Sequence, residues 1–375
     1  MTLQDLPTPC LLLDHGRLRR NCQRMHSHMA ALGVGLRPHL KTAKAAEVAA
    51  LACDSERRIT VSTLAEAHFF AARGFRDITY AVGLAPHKVA EAAALLRAGV
   101  ALRCLVDSPE AASAAGEAAA AQDVTLPLLI EIDCGDRRGG ILAESDSLLE
   151  IAAAIAAKPN LSLAGVLTHG GQSYACRDLD CVRDVAETER HAVLRAAERL
   201  RADGYAIETV SAGSTPTASH AVNGEGLTEM RPGVYVFGDL DQMALGSCEL
   251  EDIAVTVLAT VIGHNRQYDR IITDAGGLAL SKDVSAQEFL PQAGYGWVMT
   301  PDGAVADDVF VAAVSQEHGK IEAKDGGAPP FERFPIGSRL RVLPNHVCMT
   351  VAPYDRYHVL MEDGDIAVWD KATGW

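Results

Sequence analysis

The sequence predicts an α/β protein: a (β/α)8 TIM barrel over residues 16–245, followed by a β-domain over 246–375 that also takes in residues 1–15. Three observations lead there. Eight short apolar runs alternate with alanine-rich helical stretches in the first part, which is the signature of a parallel sheet with helices outside it. Helical periodicity nearly vanishes after residue 246. At 375 residues, the chain is long enough for a large barrel plus a second domain.

The expected strands are Gly35 to His39, Ile59 to Ser62, Ile78 to Val82, Leu102 to Val106, Leu126 to Ile132, Leu163 to Leu167, Thr209 to Ser211 and Val234 to Phe237. Helices are expected between them at Ala43 to Cys53, Leu64 to Arg73, His87 to Ala98, Pro109 to Ala121, Ser147 to Ala157 and Asp180 to Ala202. Eight such strands with helical crossovers place chemistry at the carboxyl ends of the strands. The later strand-like runs are Ile253 to Ile262, Arg270 to Thr273, Val309 to Val314, Arg339 to Val342 and His358 to Met361, with Gly326 to Pro330 as a loop and Asp363-Gly364-Asp365 as a hairpin turn. Thr8 to Asp14 is expected to join them.

A formal charge of −15 argues against a surface that neutralises nucleic-acid phosphates or anionic lipid. No run approaches the roughly 20 apolar residues of a membrane span, and Met1-Thr2-Leu3-Gln4-Asp5 lacks the pattern of a secretory signal, so a cytoplasmic protein is expected. Nine dispersed cysteines without a C-x-x-C pair fit reduced thiols, each most simply a small buried hydrophobe except at Cys348.

Lys41 stands just past the first strand, next to His39, in Leu36-Arg37-Pro38-His39-Leu40-Lys41-Thr42. Desolvation there would make its amine nucleophilic, as a Schiff-base residue requires; the alternative, a solvated lysine opening a helix, fits Lys44 better. After the seventh strand, Gly213-Ser214-Thr215-Pro216-Thr217 offers small residues and hydroxyls before a helix, either a phosphate cup or a plain helix cap. Arg137 and Arg138 follow the fifth strand, where an arginine can bond a cofactor's phenolate oxygen; a surface ion pair is the plainer role. His169 follows the sixth strand, where an imidazole can stack on a flat ring, and Tyr174 can reach a substrate. Tyr235 lies in the eighth strand region, near the proposed phosphate or simply packed.

In Pro344-Asn345-His346-Val347-Cys348, an extended backbone would turn His346 and Cys348 to one side, able to chelate one ion. Imidazole plus thiolate favours zinc and leaves positions for water and substrate oxygens; a buried cysteine beside a structural histidine is the rival. Gln316-Glu317-His318-Gly319 is a further polar cluster, and His26 and His28 read as solvent-facing helix residues.

Taken together, these stretches resemble the D-serine dehydratase and D-threonine aldolase group of fold-type III pyridoxal-phosphate enzymes, which have the alanine-racemase-like fold. The likeness runs from Pro7-Thr8-Pro9 to Thr373-Gly374-Trp375, and its most specific pieces are the segments around Lys41, Gly213 to Thr217 and Pro344 to Cys348. The resemblance implies that Lys41 carries the cofactor, that Gly213, Ser214 and Thr215 bind its phosphate, and that His346 and Cys348 bind a divalent metal, zinc or manganese. Within the group, the chain looks most like the D-threo-3-hydroxyaspartate dehydratase branch, with Val61-Ser62-Thr63-Leu64 and Gly233-Val234-Tyr235-Val236-Phe237 adding to that likeness. The aldolases usually carry aspartate where this chain has Cys348.

The resemblance further implies a homodimer and a lyase that eliminates water from a D-3-hydroxy amino acid to give a 2-oxo acid and ammonia. Retro-aldol cleavage to glycine and an aldehyde is the alternative. Amino-acid racemisation would need a second base opposite Lys41, and a non-catalytic carrier of pyridoxal phosphate is the remaining reading; the metal pair counts against both.

Overall fold

The computed structural model describes residues 2–375 and divides into two units. One comprises Gln23–Gly233 with the final two residues; the other comprises the residues up to Cys22 with Val234–Thr373. Strand β1 (Cys10–Asp14) belongs to the second.

The first unit is the barrel. Its strands are β2 (Gly35–Leu36), β3 (Arg58–Val61), β4 (Asp77–Gly83), β5 (Ala101–Val106), β6 (Leu126–Ile132), β7 (Leu161–Thr168), β8 (Thr209–Ala212) and β9 (Glu229–Met230). They are parallel, in the order β2-β9-β8-β7-β6-β5-β4-β3. A parallel bridge between His39 and Thr60 nearly closes the ring, with the Leu40 N–H on Thr60 O at 2.8 Å. The expected eighth strand at Val234 to Phe237 is instead a 3-10 turn, Val234–Val236, and β9 takes its place. Pro232 and Gly233 break the chain after β9, and the apolar run beyond them reflects burial rather than pairing in the ladder.

The helices form where the alanine-rich periodicity indicated. The helix Pro109–Ala121 is started by Ser108, whose side chain accepts from Ala111 N–H at 3.1 Å, and by proline in its first turn. Its inner face is Ala112, Ala115, Gly116 and Ala119, spaced three to four residues apart. A Cβ on Gly116 would stand 3.0 Å from Lys158 Cγ, so the small side chain sets how closely this face packs. The helix His15–Leu32 precedes the first barrel strand and lies outside the expected alternation. On it, His26 is half-buried with Nε2 2.9 Å from Ala52 O, not solvent-facing as expected.

Charge runs through the barrel interior. Arg37, 2% exposed, donates to Glu229 and to Asp77, each at 2.7 Å, and Arg103 reaches Asp77 at 2.6 Å. Ser211 bridges onward, donating to Glu229 at 2.7 Å and accepting from Arg231 at 2.6 Å. Burial opposes ionisation of Glu229, yet the field of Arg37 and the hydrogen bonds from Ser211 and Arg37 hold its carboxyl below the ordinary value.

The second unit holds β1 and β10 (Val255–Asn265), β11 (Arg270–Thr273), β12 (Gly296–Met299), β13 (Val305–Val314), β14 (Gly319–Ala323), β15 (Arg339–Pro344), β16 (Arg356–Leu360) and β17 (Ile366–Asp370). Their order is β11-β14-β13-β12-β15-β10-β1-β16-β17, and a further pairing of β11 with β10 closes six of them into a ring. β1 runs antiparallel to β10 and parallel to β16, as expected for a leading segment that joins this sheet. β12, β14 and β17 were not expected: they are short and lack a clean two-residue alternation of burial. No helix among the described residues is long and apolar enough to cross a membrane.

Candidate active site

In the barrel unit, the predicted residues gather past the carboxyl ends of the strands. Lys41 is exposed in the turn after β2, and its N–H lies 3.4 Å from His39 Nδ1. Lys44, expected to be solvated, is instead partly buried and paired with buried Glu66 at 3.0 Å.

His39 and His169 are both partly buried. Burial lowers the pKa of each, and the charges of Lys41, Arg231 and Arg138 lower it further, taking His169 to about 3 and His39 well below its ordinary value. Both rings are therefore neutral at physiological pH. Arg138 acts on both histidines while remaining exposed, 3.5 Å from Glu131; Arg137 is exposed too, and its backbone N–H donates to Asp133 at 3.0 Å. Structure thus separates two arginines that composition could not.

Gly213 sits at φ 108°, and a Cβ there would meet the Arg231 backbone nitrogen at 2.9 Å, so only glycine suits this approach. Ser214 and Thr217 cap each other across the helix start: Ser214 N–H donates to Thr217 Oγ1 at 2.8 Å, and Thr217 N–H donates to Ser214 Oγ at 3.2 Å. The plain capping role weighed for this loop is therefore present. Thr215 Oγ1 accepts from Gly233 N–H at 3.2 Å. Tyr174 is half-buried in the turn Gly171–Ala175, whose Ser173 hydroxyl lies 3.0 Å from that of Ser214.

Two residues that no motif marked organise this region. Glu189, fully buried on the helix Leu179–Ala202, accepts at one oxygen from Gly170 N–H at 2.6 Å and Gly213 N–H at 2.8 Å. It thereby ties the His169 loop to the Gly213 loop. Arg231, also buried, donates to Ser211 Oγ and to the carbonyls of Ala212 and Thr168, and burial brings its pKa down to about 10. Cys176 and Cys181 form a disulfide, contrary to the all-thiol expectation: Asp178 starts the helix and brings their Cα atoms within 5.6 Å. The other seven cysteines stand outside any disulfide.

In the second unit, Tyr235 is buried in the turn after Gly233. His346 keeps an extended backbone, but Cys348 does not, so the pair is not one continuous extended segment. β15 ends at Pro344, His346 is the cap of the short helix Val347–Val351, and Cys348 lies in its first turn. The two side chains still meet, the thiol lying within hydrogen-bonding reach of the ring. His346 Nδ1 is 2.7 Å from Asp283 Oδ2. Burial favours the neutral ring, but the hydrogen bonds with Asp283 and Cys348 outweigh it and push the pKa up to about 11. Asp239, fully buried, accepts from Val347 N–H at 2.8 Å, and Asp241 is raised to about 7 by burial and the neighbouring Asp239 charge. Gln316, Glu317 and His318 are exposed in the turn between β13 and β14. Among the described residues, no group of three or more His, Cys, Asp or Glu side chains is placed to hold one ion. His346 and Cys348 are thus a two-donor set, imidazole and thiol, which suits a borderline-soft cation with open positions. The barrel loops bring the cations of Lys41, Arg138 and Arg231 and small, hydroxyl-bearing residues near the two histidine rings, which suits an anionic, flat, phosphorylated aldehyde.

The alanine racemase N-terminal domain model matches residues 13–241, and a serine dehydratase domain model matches residues 254–360. The chain belongs to the D-serine dehydratase and D-threonine aldolase-like family. This family consists of fold-type III pyridoxal-phosphate enzymes with the alanine-racemase-like fold, and its dehydratases are lyases. The chain is 42% identical to the D-threo-3-hydroxyaspartate dehydratase of Delftia sp. (strain HT23) over 100% of this chain and 99% of that protein. The solved structure of the enzyme from Delftia sp. HT23 matches at TM-score 0.96, with 43% identity and complete coverage of both chains. A cysteine-to-alanine mutant of a D-threo-3-hydroxyaspartate dehydratase, solved in the metal-free form, matches at TM-score 0.96 and 42% identity over both whole chains. A D-serine dehydratase of Dictyostelium discoideum is 33% identical over 97% of this chain and 96% of its own length. Family membership thus brings pyridoxal phosphate to this fold, and a metal is involved in at least one similar family member.

Proposed function

We propose that this chain is a pyridoxal-phosphate- and divalent-metal-dependent dehydratase that removes water from a D-3-hydroxy amino acid, D-threo-3-hydroxyaspartate or D-serine, and yields a 2-oxo acid and ammonia. The observation that carries it is the meeting of the Asp283-bonded His346 ring with the Cys348 thiol, a metal-type donor pair on a chain whose barrel presents Lys41 beside neutral His39 and His169. When bound, pyridoxal phosphate supplies an electron sink that acidifies the α-hydrogen, and a divalent ion supplies a Lewis acid for the departing hydroxyl oxygen.

The chain's own residues do the rest. The Lys41 amine would hold the cofactor at its aldehyde, and as a base it would take the α-proton. Gly213, Ser214 and Thr215 hold the phosphate, with Tyr235 as a further phosphate contact. His39 and His169, kept neutral, would contact the flat ring without competing for protons. Arg138 would bond the phenolate oxygen, and Tyr174 would reach the substrate. His346 and Cys348 hold the ion, zinc or manganese. The β-carbon loses its oxygen as water, and the released enamine tautomerises and takes up water to become the 2-oxo acid and ammonia.

Division of labour between a cofactor-binding segment, 16–245, and a metal-binding one, 246–375 with 1–15, is part of the same proposal, as are a cytoplasmic homodimer and a small-molecule rather than nucleic-acid or membrane partner. The deciding experiment is a panel of D-3-hydroxy amino acids assayed with and without chelator. Equal yields of ammonia and 2-oxo acid, lost on chelation, are expected. Glycine and an aldehyde as the products would replace dehydration with aldol cleavage. Light scattering on the purified protein tests the dimer.

A further inference from the structure

The loop Ser281–Ser285 carries no motif, yet it is built around one carboxylate. The Asp283 N–H donates to Ser281 Oγ, 3.0 Å away. Its Oδ1 accepts from Ser285 N–H at 2.9 Å and from the Ser285 hydroxyl. Its Oδ2 is left for His346 Nδ1 at 2.7 Å. A carboxylate only accepts, so at that contact Nδ1 carries the proton and the ring donates.

The backbone around His346 is fixed as firmly. Asn345, before it, accepts from Ala286 N–H at 3.0 Å and donates to Gly294 O at 2.8 Å. Val347, after it, donates to Asp239 at 2.8 Å. With the backbone held and Nδ1 donating to Asp283, Nε2 is the nitrogen left to offer a lone pair.

We propose that Asp283 is the positioning residue of the metal site: by keeping the proton on His346 Nδ1 it fixes Nε2 as the ligating atom and strengthens it as a donor. This rests on the reading that His346 and Cys348 hold the ion. A histidine bound through one nitrogen needs the other oriented, and an outer carboxylate does both jobs, typically at 10- to 100-fold in metal affinity. The rival role, a loop anchor and nothing more, predicts no such effect.

Asp283→Asn separates the two. Ser285 presents two donors to Oδ1, so the amide oxygen belongs there and the amide NH2 turns to His346 Nδ1. The ring can then accept at Nδ1 only by carrying its proton on Nε2, the atom the ion needs. The shape of the side chain is unchanged.

The test is a cobalt(II) titration of the chelator-treated holoenzyme, read by the thiolate-to-cobalt absorption that reports Cys348. Wild type is expected to develop this band, and Asp283→Asn to require about 10- to 100-fold more cobalt, with cofactor absorbance and thermal midpoint unchanged. Ser285→Ala, which removes one donor but leaves the His346 contact, is expected to titrate like wild type. Equal cobalt midpoints for Asp283→Asn and wild type would overturn the positioning role while leaving the metal site standing. Absence of the thiolate band in wild type would overturn the metal reading and this proposal with it. Should the variant fail to fold, nitrogen-15 spectra of histidine-labelled, zinc-loaded wild type decide: a protonated Nδ1 and metal-bound Nε2 at His346 support the assignment, and the reverse refutes it.

Discussion

Replacing Glu189 with alanine probes how the proposed cofactor-binding loops are held together. One carboxylate oxygen takes two backbone N–H groups, Gly170 at 2.6 Å and Gly213 at 2.8 Å, from loops that follow adjacent strands. The side chain is fully buried, so no bulk water stands ready to replace it. Each stranded buried donor costs about 1–3 kcal/mol, giving about 2–6 kcal/mol for the pair. Passage of only about 2 kcal/mol of this to the cofactor would weaken its binding roughly 30-fold. Glu189→Gln keeps a carbonyl oxygen for both donors and should lose far less. The assay is equilibrium titration of cofactor-stripped protein with pyridoxal phosphate, followed by visible absorbance, alongside urea midpoints for all three proteins. Unchanged cofactor affinity and an unchanged urea midpoint in Glu189→Ala would show that the two loops hold their places without this carboxyl, and the reasoning would be wrong.

Four further outcomes are expected. Lys41→Ala should lose the chromophore that borohydride fixes to the wild-type protein, as read by mass spectrometry of the reduced chain. A His346→Ala, Cys348→Ala double variant stripped of ions should keep its cofactor colour but lose elimination about 1000-fold, equivalent to several kcal/mol of Lewis-acid stabilisation; full turnover would exclude the metal role. The His169 pKa, about 3 in the folded state, lies below the ordinary 6.5, so its contribution to stability is complete above pH 6.5 and lost as pH falls toward 3. Between pH 6.5 and 5, this one ring should cost about 2 kcal/mol, and His169→Gln should remove that part of the acid slope in urea titrations of cofactor-free protein. Arg37→Met should destabilise by about 3–5 kcal/mol because Glu229 is left charged in the barrel interior, and adding Glu229→Leu should recover part of the loss in the same titrations.

The positions of Lys41, Gly213 and the His346–Cys348 pair were legible because each stands in a short local pattern: a basic residue past a strand, small residues before a helix, an H-x-C triplet. Asp283 and Glu189 were not. Asp283 lies 63 residues from the histidine it touches, and Glu189 lies 24 from Gly213 on a helix whose other charges mostly face outward. A lone acidic residue in a loop or on an amphipathic helix carries no signal until the fold supplies its partner. The expected strand at Val234 to Phe237 failed for the converse reason: an apolar run states that a segment is buried, not which neighbour its backbone bonds.

By itself the sequence determined the features set by local chemistry: alternation of strand and helix to residue 230, a strand-rich remainder, and the residue types able to carry a cofactor and a metal. Tertiary structure decided what depends on groups distant in the chain. It chose Arg138 over Arg137 as the cation felt by the two histidines, joined Cys176 to Cys181, bent His346 and Cys348 onto a helix start, and threaded a charged chain from Arg103 to Arg231 through the barrel. The physical reason is range. Backbone preference and side-chain period act over a few residues, whereas hydrogen bonds, fields and desolvation act through space, between atoms that only the completed fold brings together.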